Sequence, residues 1–117
     1  MSQPTIYHNP RCSKSRYTLQ LLRGCGLDPQ IVLYLEDPPN AERISSLCAA
    51  MGKRPLEIMR TKEARFKELG LSKDDDRSDA QWFKLMAANP VLLERPIVVM
   101  DNEVALGRPP ESVLDIL

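Results

Sequence analysis

The sequence predicts a single α/β domain of 117 residues that contains a mixed four-stranded sheet. Within about its first 35 residues, a strand, a helix and a second apolar run follow one another, which is typical of two parallel strands joined by a helix. Residues 95–106 predict two further strands joined by a tight turn. Residues 40–90, between these two parts, carry helical patterns. We therefore expect a parallel pair and an antiparallel hairpin in one sheet, with a helical insertion between them.

The first part begins with a strand that ends at His8, a turn that holds Cys12, and a helix that starts at Ser13. The predicted buried face of this helix has i, i+4, i+5 and i+8 spacing and consists of Tyr17, Leu21, Leu22 and Cys25. Residues 31–35 are apolar throughout, which predicts a strand that is buried on both faces.

The predicted insertion begins after two prolines, with a helix that Asn40 caps. Its apolar stripe has i, i+3, i+4 and i+7 spacing and consists of Ile44, Leu47, Cys48 and Met51. Two short helices are expected between residues 55 and 69, and a capping box opens another helix at Ser78. Residues 74–76 are all aspartate and are expected to form a solvated loop, because side chains adjacent in sequence do not converge on a metal without a turn.

The last part is predicted to contain a strand entered through Pro96, a turn at residues 101–102, and a second strand. A final helix follows residues 109–110, which are both proline. Its inward side chains are expected to be Val113, Ile116 and Leu117. The complete order, βα, β, a helical block and ββα, describes a thioredoxin-like domain with a helical insertion at about residues 40–90.

The composition excludes several function classes. The chain has 16 acidic and 16 basic residues, so its net charge of zero offers no footprint for nucleic acid or an anionic membrane. No apolar run approaches the roughly 18 residues of a membrane span, and no signal peptide is expected. Three irregularly spaced cysteines and one histidine make a poor zinc site. We expect a cytoplasmic monomer, since a reducing compartment fits this cysteine usage.

Cys12 is the strongest candidate for chemistry, because it lies at the start of a predicted helix. Free backbone N–H groups and the positive end of the helix dipole favour a thiolate there. Arg11 and Lys14 add positive charge nearby. Residues 13–15 contain no second cysteine, so a local dithiol is excluded. If Cys12 has a redox role, its partner thiol comes from outside the chain, or from one of the other two cysteines, for which core positions are expected.

The segment HNPRCSKSR, residues 8–16, resembles the active-site segment of the glutaredoxin-linked arsenate reductase family. Further matching pieces follow in the same order and cover nearly all of the chain. They are the YLEDPP connector at residues 34–39, Arg60, the ELGL segment at residues 68–71, Asn89-Pro90, the RPIVV segment at residues 95–99, and Gly107-Arg108-Pro109.

The resemblance implies roles for individual residues. It implies that Cys12 is the nucleophile and that His8 and Ser15 lie near the sulfur and tune its ionisation. It also implies that Pro96 is the cis-proline that places backbone beside the cysteine. Three arginines match those that bind the oxyanion: Arg60, Arg95 and Arg108. Independently of the resemblance, strand alternation places His8 on the same face as Ile6, near the turn that holds Cys12.

The resemblance further implies that arsenate, or a similar small oxyanion, is reduced with glutathione and glutaredoxin as external reductants and without a bound cofactor or metal. Two alternatives stay open from the residues. One is a thiol oxidoreductase acting on another oxyanion or on a glutathione mixed disulfide. The other is a regulatory protein-binding module without catalysis, although related regulators usually carry a C-x-x-C that Ser15 excludes here. An enzyme should bring its arginines to an accessible Cys12.

Overall fold

The computed structural model describes residues 3–117, which form two compact units. The first unit combines residues up to Asp37 with Arg95–Leu117, and the second is Pro38–Glu94. The second unit corresponds in position to the predicted insertion. No helix within the described residues is long and apolar enough to cross a membrane.

A four-stranded sheet in the order β2-β1-β3-β4 organises the first unit. Its elements are β1 (Thr5–His8), α1 (Ser13–Gly24), β2 (Gln30–Leu33), β3 (Ile97–Met100), β4 (Glu103–Leu106) and a C-terminal 3₁₀ helix (Pro110–Ile116). Strand β1 pairs in parallel with β2 and antiparallel with β3, and β3 pairs antiparallel with β4. The predicted βαβ unit, hairpin and mixed sheet are therefore confirmed. Asp101, at the hairpin turn, has a φ of 56°, a conformation that aspartate tolerates better than most residues.

The core of the first unit lies on the face of the sheet that carries Ile6. This side chain is opposite Val98 in the strand register, and both are fully buried. The cluster consists of Ile6, Leu19, Leu22, Val98 and Val113, and it joins the sheet to α1 and the C-terminal 3₁₀ helix. Since His8 is two residues from Ile6 on β1, it has the same parity and faces this side of the sheet. The alternation thus directs the only histidine of the chain toward α1.

The predicted buried face of α1 is confirmed for Leu22, which is fully buried, but it is wrong for Tyr17 and Cys25. Tyr17 is 46% exposed and Cys25 is also exposed, so neither is a core residue. The buried positions of the helix are Ser15, Thr18, Leu19 and Leu22. The two polar residues are buried at a low free-energy cost because their hydroxyl groups are hydrogen-bonded. Thr18 Oγ1 donates to the Lys14 carbonyl, and Ser15 Oγ forms a hydrogen bond with His8 Nδ1. The spacing of apolar residues cannot predict the burial of polar side chains whose hydroxyl groups are hydrogen-bonded.

The prediction that residues 31–35 form a strand buried on both faces is also wrong. Strand β2 ends at Leu33 and lies at the edge of the sheet, where only β1 pairs with it. Leu33 is 37% exposed and Leu35 is 44% exposed, whereas Tyr34 is buried. Leu117, expected to face inward, is exposed as well.

The second unit is helical, as expected. It contains α2 (Ala41–Met51), a 3₁₀ turn (Pro55–Ile58), α3 (Ala64–Glu68), α4 (Asp79–Ala88) and a second 3₁₀ turn (Pro90–Leu92). The predicted caps are confirmed: the Arg43 backbone N–H donates to Asn40 Oδ1 at 2.8 Å, and Ser78 forms a capping box with Gln81. Cys48 is buried, and its Sγ lies 2.9 Å from the Lys53 carbonyl oxygen. Burial, with the negative charges of nearby carboxylates, raises the pKa of this thiol.

Candidate active site

Cys12 occupies the N-cap of α1, at the end of a tight turn that leaves β1. Its backbone N–H donates to the Asn9 carbonyl at 3.0 Å, and its own carbonyl accepts the first helical bond from Arg16. Asn9 Oδ1 also accepts from the Arg11 backbone N–H at 3.0 Å. These local bonds close the turn and hold the sulfur, which is partly exposed, over the free N–H groups of the first helical turn.

The surroundings of Cys12 favour its thiolate. Burial acts to raise the pKa of this thiol, but the backbone N–H of Ser15, the Arg95 side chain and the backbone N–H of Lys14 all stabilise the anion as hydrogen-bond donors. The positive charge of Arg95 adds to their effect. The net result is a pKa below the ordinary value of a cysteine thiol. A lowered pKa increases the thiolate fraction of a partly exposed cysteine, and the thiolate is its nucleophilic form.

Ser15 connects His8 to the neighbourhood of the sulfur. Its Oγ lies 2.6 Å from His8 Nδ1 and accepts from the Asn9 backbone N–H at 3.0 Å. Burial, with the positive charges of Arg23 and Arg16, lowers the pKa of His8, so the imidazole is neutral at physiological pH. His8 therefore holds Ser15, whose backbone N–H faces the sulfur. The hydrogen bond between His8 and Ser15 therefore helps to position the first turn of α1.

The three predicted arginines have different surroundings. Arg95 contacts the Cys12 sulfur, and its Nε is a buried atom without a hydrogen-bond partner among the described residues. Arg108 is exposed and follows β4. Arg60 lies in the second unit, where its Nε is 3.1 Å from Glu63 and one terminal nitrogen is 3.3 Å from Glu94. The structure thus brings Arg95 to Cys12 and shows the charge of Arg60 already paired with carboxylates.

Gly107 keeps the Arg95 segment close to α1. A Cβ atom at this position would lie 2.7 Å from Pro96 Cγ and 3.0 Å from Thr18 Oγ1, which is closer than side chains approach. The Gly107 backbone N–H also donates to the Pro96 carbonyl at 2.8 Å. The peptide bond between Arg95 and Pro96 is cis, as the resemblance implies for Pro96.

Replacing Gly107 by alanine is expected to lower the free energy of unfolding by about 1–3 kcal/mol, because the added methyl group overpacks a filled site. Gly24→Ala is the matched control, since nothing lies within 4 Å of its added Cβ atom. Urea unfolding of the two variants and the parent measures the difference. Equal stability of the two variants would show that the Pro96 contact does not matter.

Sequence reasoning missed three residues that shape the site: Asn9, Thr18 and Gly107. The Asn-Pro pair was a visible turn signal for Asn9, since asparagine side chains bond nearby backbone groups in turns. Thr18 and Gly107 gave no independent signal, because their importance comes from a contact between segments far apart in sequence. Within residues 3–117, no group of three or more histidine, cysteine, aspartate or glutamate side chains is arranged to hold a metal ion.

Cys25 does not provide a partner thiol for Cys12. The two cysteines cap opposite ends of α1. A rise of about 1.5 Å per residue places them roughly 20 Å apart along the helix, and a disulfide needs Cα atoms within about 7 Å. All three cysteines are free thiols.

The mixed sheet and the cysteine at the start of α1 define a protein of the thioredoxin-like class that carries a single thiol at its helix start. Residues 7–116 match the ArsC family. The chain belongs to the ArsC family, which confirms the resemblance inferred from the HNPRCSKSR segment.

Two relatives and two solved structures illustrate the similarity. The chain is 48% identical over 116 residues to the uncharacterized protein YfgD of Escherichia coli strain K12, covering 98% of this chain and 97% of that protein. It is 44% identical to an arsenate reductase of Escherichia coli, covering 100% of this chain and 82% of that protein. A structure titled arsenate reductase from Vibrio cholerae has a TM-score of 0.94 and 47% identity, covering 99% of this chain and 98% of that one. A putative arsenate reductase from Yersinia pestis has a TM-score of 0.91 and 48% identity, covering 97% and 99%.

Proposed function

We propose that this protein is an arsenate reductase that uses Cys12 as its nucleophile, with glutathione and glutaredoxin as external reductants. The observation that carries the proposal is the contact between the Cys12 sulfur and Arg95, which joins an acidic thiol to a guanidinium group. Relatives that are named arsenate reductase, and that match 97% or more of this chain, support the choice of arsenate as the substrate. The reducing agents named here are those of the cytoplasm, which is the compartment we propose for the protein.

Arsenate places specific demands on such a site. It is a tetrahedral anion, and the attack of a thiolate on it is repulsive unless positive groups hold both anions together. Guanidinium groups suit this task because their forked N–H pairs match neighbouring oxygens of an oxyanion. Arg95 is proposed to bridge the thiolate and the substrate, with Arg108 as a second ligand. The family resemblance implies Arg60 as a third ligand.

The first proposed step is attack of the Cys12 thiolate on arsenic. A sulfur–arsenic bond forms, the bond from arsenic to a hydroxyl oxygen breaks, and this oxygen takes up a proton from solvent and leaves as water. The backbone N–H groups that stabilise the thiolate lie at a helix start, which also favours the bound oxyanion. His8 and Ser15 are proposed as positioning residues in this step, because they hold the helix start in place.

The reduction needs a second thiol. The sulfur of glutathione forms a disulfide bond with the Cys12 sulfur, the electron pair of the sulfur–arsenic bond stays on arsenic, and arsenite leaves. One arsenate and two thiols thus give one arsenite, one water and one mixed disulfide. A glutaredoxin thiolate then attacks the glutathione sulfur and releases the Cys12 thiolate. The second thiol is external, since Cys25 lies at the far end of α1 and Cys48 is a buried thiol with a raised pKa.

The test of this proposal is arsenite production from arsenate by the purified protein in the presence of glutathione and glutaredoxin. We expect turnover that depends on all three added components, at neutral pH. An accessible, acidic Cys12 without any arsenate turnover would reject arsenate as the substrate. Omission of glutaredoxin should leave a single turnover, since the mixed disulfide is then not resolved.

A further inference from the structure

A recess opens beside the turn that leads to Cys12, and of its lining residues only His8 and Asn9 have been given a role so far. Its volume is about 250 Å³, and it lies entirely within the first unit. The lining residues are His8, Asn9, Pro10, Arg11, Leu33, Leu35 and Glu36. Three of them directly precede the Cys12 residue in sequence, and the others belong to β1, to β2 at the sheet edge and to the turn that follows it. The recess thus lies against the turn that leads from β1 to Cys12.

The lining of the recess includes two leucines and two side chains of opposite charge. Leu33 and Leu35 keep 37% and 44% of their surface exposed, which leaves uncovered apolar area at the end of β2. Arg11 and Glu36 are both exposed, and neither forms an ion pair or a side-chain hydrogen bond within residues 3–117. A cation and an anion that line the same recess, both without an ion-pair partner within residues 3–117, are complementary to a ligand that carries both charges.

This charge pattern distinguishes between ligand classes. An oxyanion such as arsenate would be attracted by Arg11 but repelled by Glu36, and it has no apolar group that could pack against leucine side chains. A zwitterionic amino-acid group pairs its carboxylate with the arginine and its ammonium with the glutamate. The recess is smaller than the roughly 300–1,000 Å³ of pockets that enclose a drug-sized ligand, so it accommodates one end of a peptide.

We propose that this recess binds the zwitterionic γ-glutamyl end of glutathione, with its carboxylate on Arg11 and its ammonium on Glu36. The inference rests on the proposed function, because that reaction requires an external thiol next to Cys12. Leu33 and Leu35 pack against the methylene groups of the bound peptide. Glutathione held there presents its thiol to the turn between β1 and α1.

The direct test is binding of S-methylglutathione, which cannot react, to the Cys12→Ser protein. NMR spectra at low salt should show shifts of the Leu33 and Leu35 methyl signals. Arg11→Gln and Glu36→Gln, each added to Cys12→Ser, should weaken this binding about fivefold, the size typical of an exposed ion pair. Glu103→Gln is the matched control, because Glu103 is exposed on β4 at the opposite edge of the sheet. It should bind like the parent.

Kinetics provide the second readout. In enzymes with Cys12 intact, Arg11→Gln and Glu36→Gln should raise KM for glutathione about fivefold and leave KM for arsenate within twofold. With 2-mercaptoethanol, which lacks both charges, the Glu36→Gln variant should match the parent. An indirect effect of Arg11 on Cys12 would instead reduce the rate with both thiols equally.

The binding experiment separates this proposal from the proposed function. The proposal is overturned if the methyl shifts lie only outside residues 33–35. It is also overturned if both glutamine variants bind S-methylglutathione as tightly as the Cys12→Ser protein does. Either result would exclude the recess as a glutathione site even if arsenate turnover is normal. If the protein has no arsenate turnover, the shifts and their loss in the variants still decide whether the recess binds glutathione.

Discussion

Replacing Cys12 by serine is expected to lower arsenate turnover on the order of 10⁴-fold or more, because it removes the only group proposed to attack arsenic. A serine hydroxyl stays protonated at neutral pH, whereas the neighbours of Cys12 lower the pKa of its thiol and stabilise the anion. The measurement is the rate of arsenite formation with saturating glutathione and glutaredoxin. Since the side chain is partly exposed at a helix start, the variant should fold like the parent.

Cys25→Ser and Cys48→Ala are the matched controls for this substitution. Cys25 is exposed at the far end of α1, so its replacement should leave kcat within about twofold of the parent. Cys48→Ala leaves a small cavity in the second unit and should reduce stability by about 1 kcal/mol without a comparable loss of kcat. Turnover that survives in the Cys12 variant and disappears in either control would assign the chemistry to another thiol.

Replacing Arg95 by alanine is expected to reduce kcat/KM for arsenate by about 10²–10³-fold, the usual effect of removing a donor that stabilises developing charge. Two losses combine in this variant. The pKa of Cys12 rises, because one hydrogen-bond donor and one positive charge leave the sulfur. The proposed bridge to the arsenate oxygens is also absent.

Arg95→Lys separates these two losses. A lysine keeps the positive charge near the sulfur but lacks the forked N–H pair, so it should retain an acidic Cys12 and regain only part of the arsenate activity. The measurement is kcat/KM for arsenate, together with the alkylation rate of Cys12 at neutral pH. If Arg95→Ala kept parental values in both measurements, the contact between Arg95 and the sulfur would have no functional role.

The parts of the fold that depend on local signals could be predicted from the sequence. Asn40 and Ser78 cap helices through bonds to backbone groups three residues away, so sequence spacing is sufficient to find them. The hairpin after β3 needs only a two-residue turn between strong strand formers. The order of these elements then predicts the mixed sheet, since few connections of such units are allowed.

Burial was less predictable, because it depends on what packs against an element. The apolar run at residues 31–35 is typical of a central strand, yet β2 has a neighbour on one side only. In α1, the pattern of large apolar residues favoured Tyr17, while the helix turns Ser15 and Thr18 toward the sheet. Those hydroxyl groups are satisfied by His8 and by a helical carbonyl, which is a tertiary arrangement without a sequence period.

In the candidate site too, local features could be predicted from the sequence and tertiary contacts could not. The position of Cys12 at a helix start follows from a local turn and could be predicted from the sequence. The contact between Cys12 and Arg95 joins residues far apart in sequence, and only the family resemblance selected that arginine among the others. The carboxylate partners of Arg60 were not anticipated, since Glu94 is 34 residues away from it.

The central claim is that the surroundings of Cys12 lower the pKa of its thiol and so favour the thiolate. The most direct test is the pH dependence of its alkylation by iodoacetamide, followed by mass spectrometry of the peptide that contains residue 12. N-acetylcysteine, measured in the same buffers, is the reference for an ordinary thiol. We expect the Cys12 rate to reach half its maximum at a distinctly lower pH than the rate of this reference, because the pKa of Cys12 is lowered. A Cys12 midpoint at or above that of the reference would contradict the account.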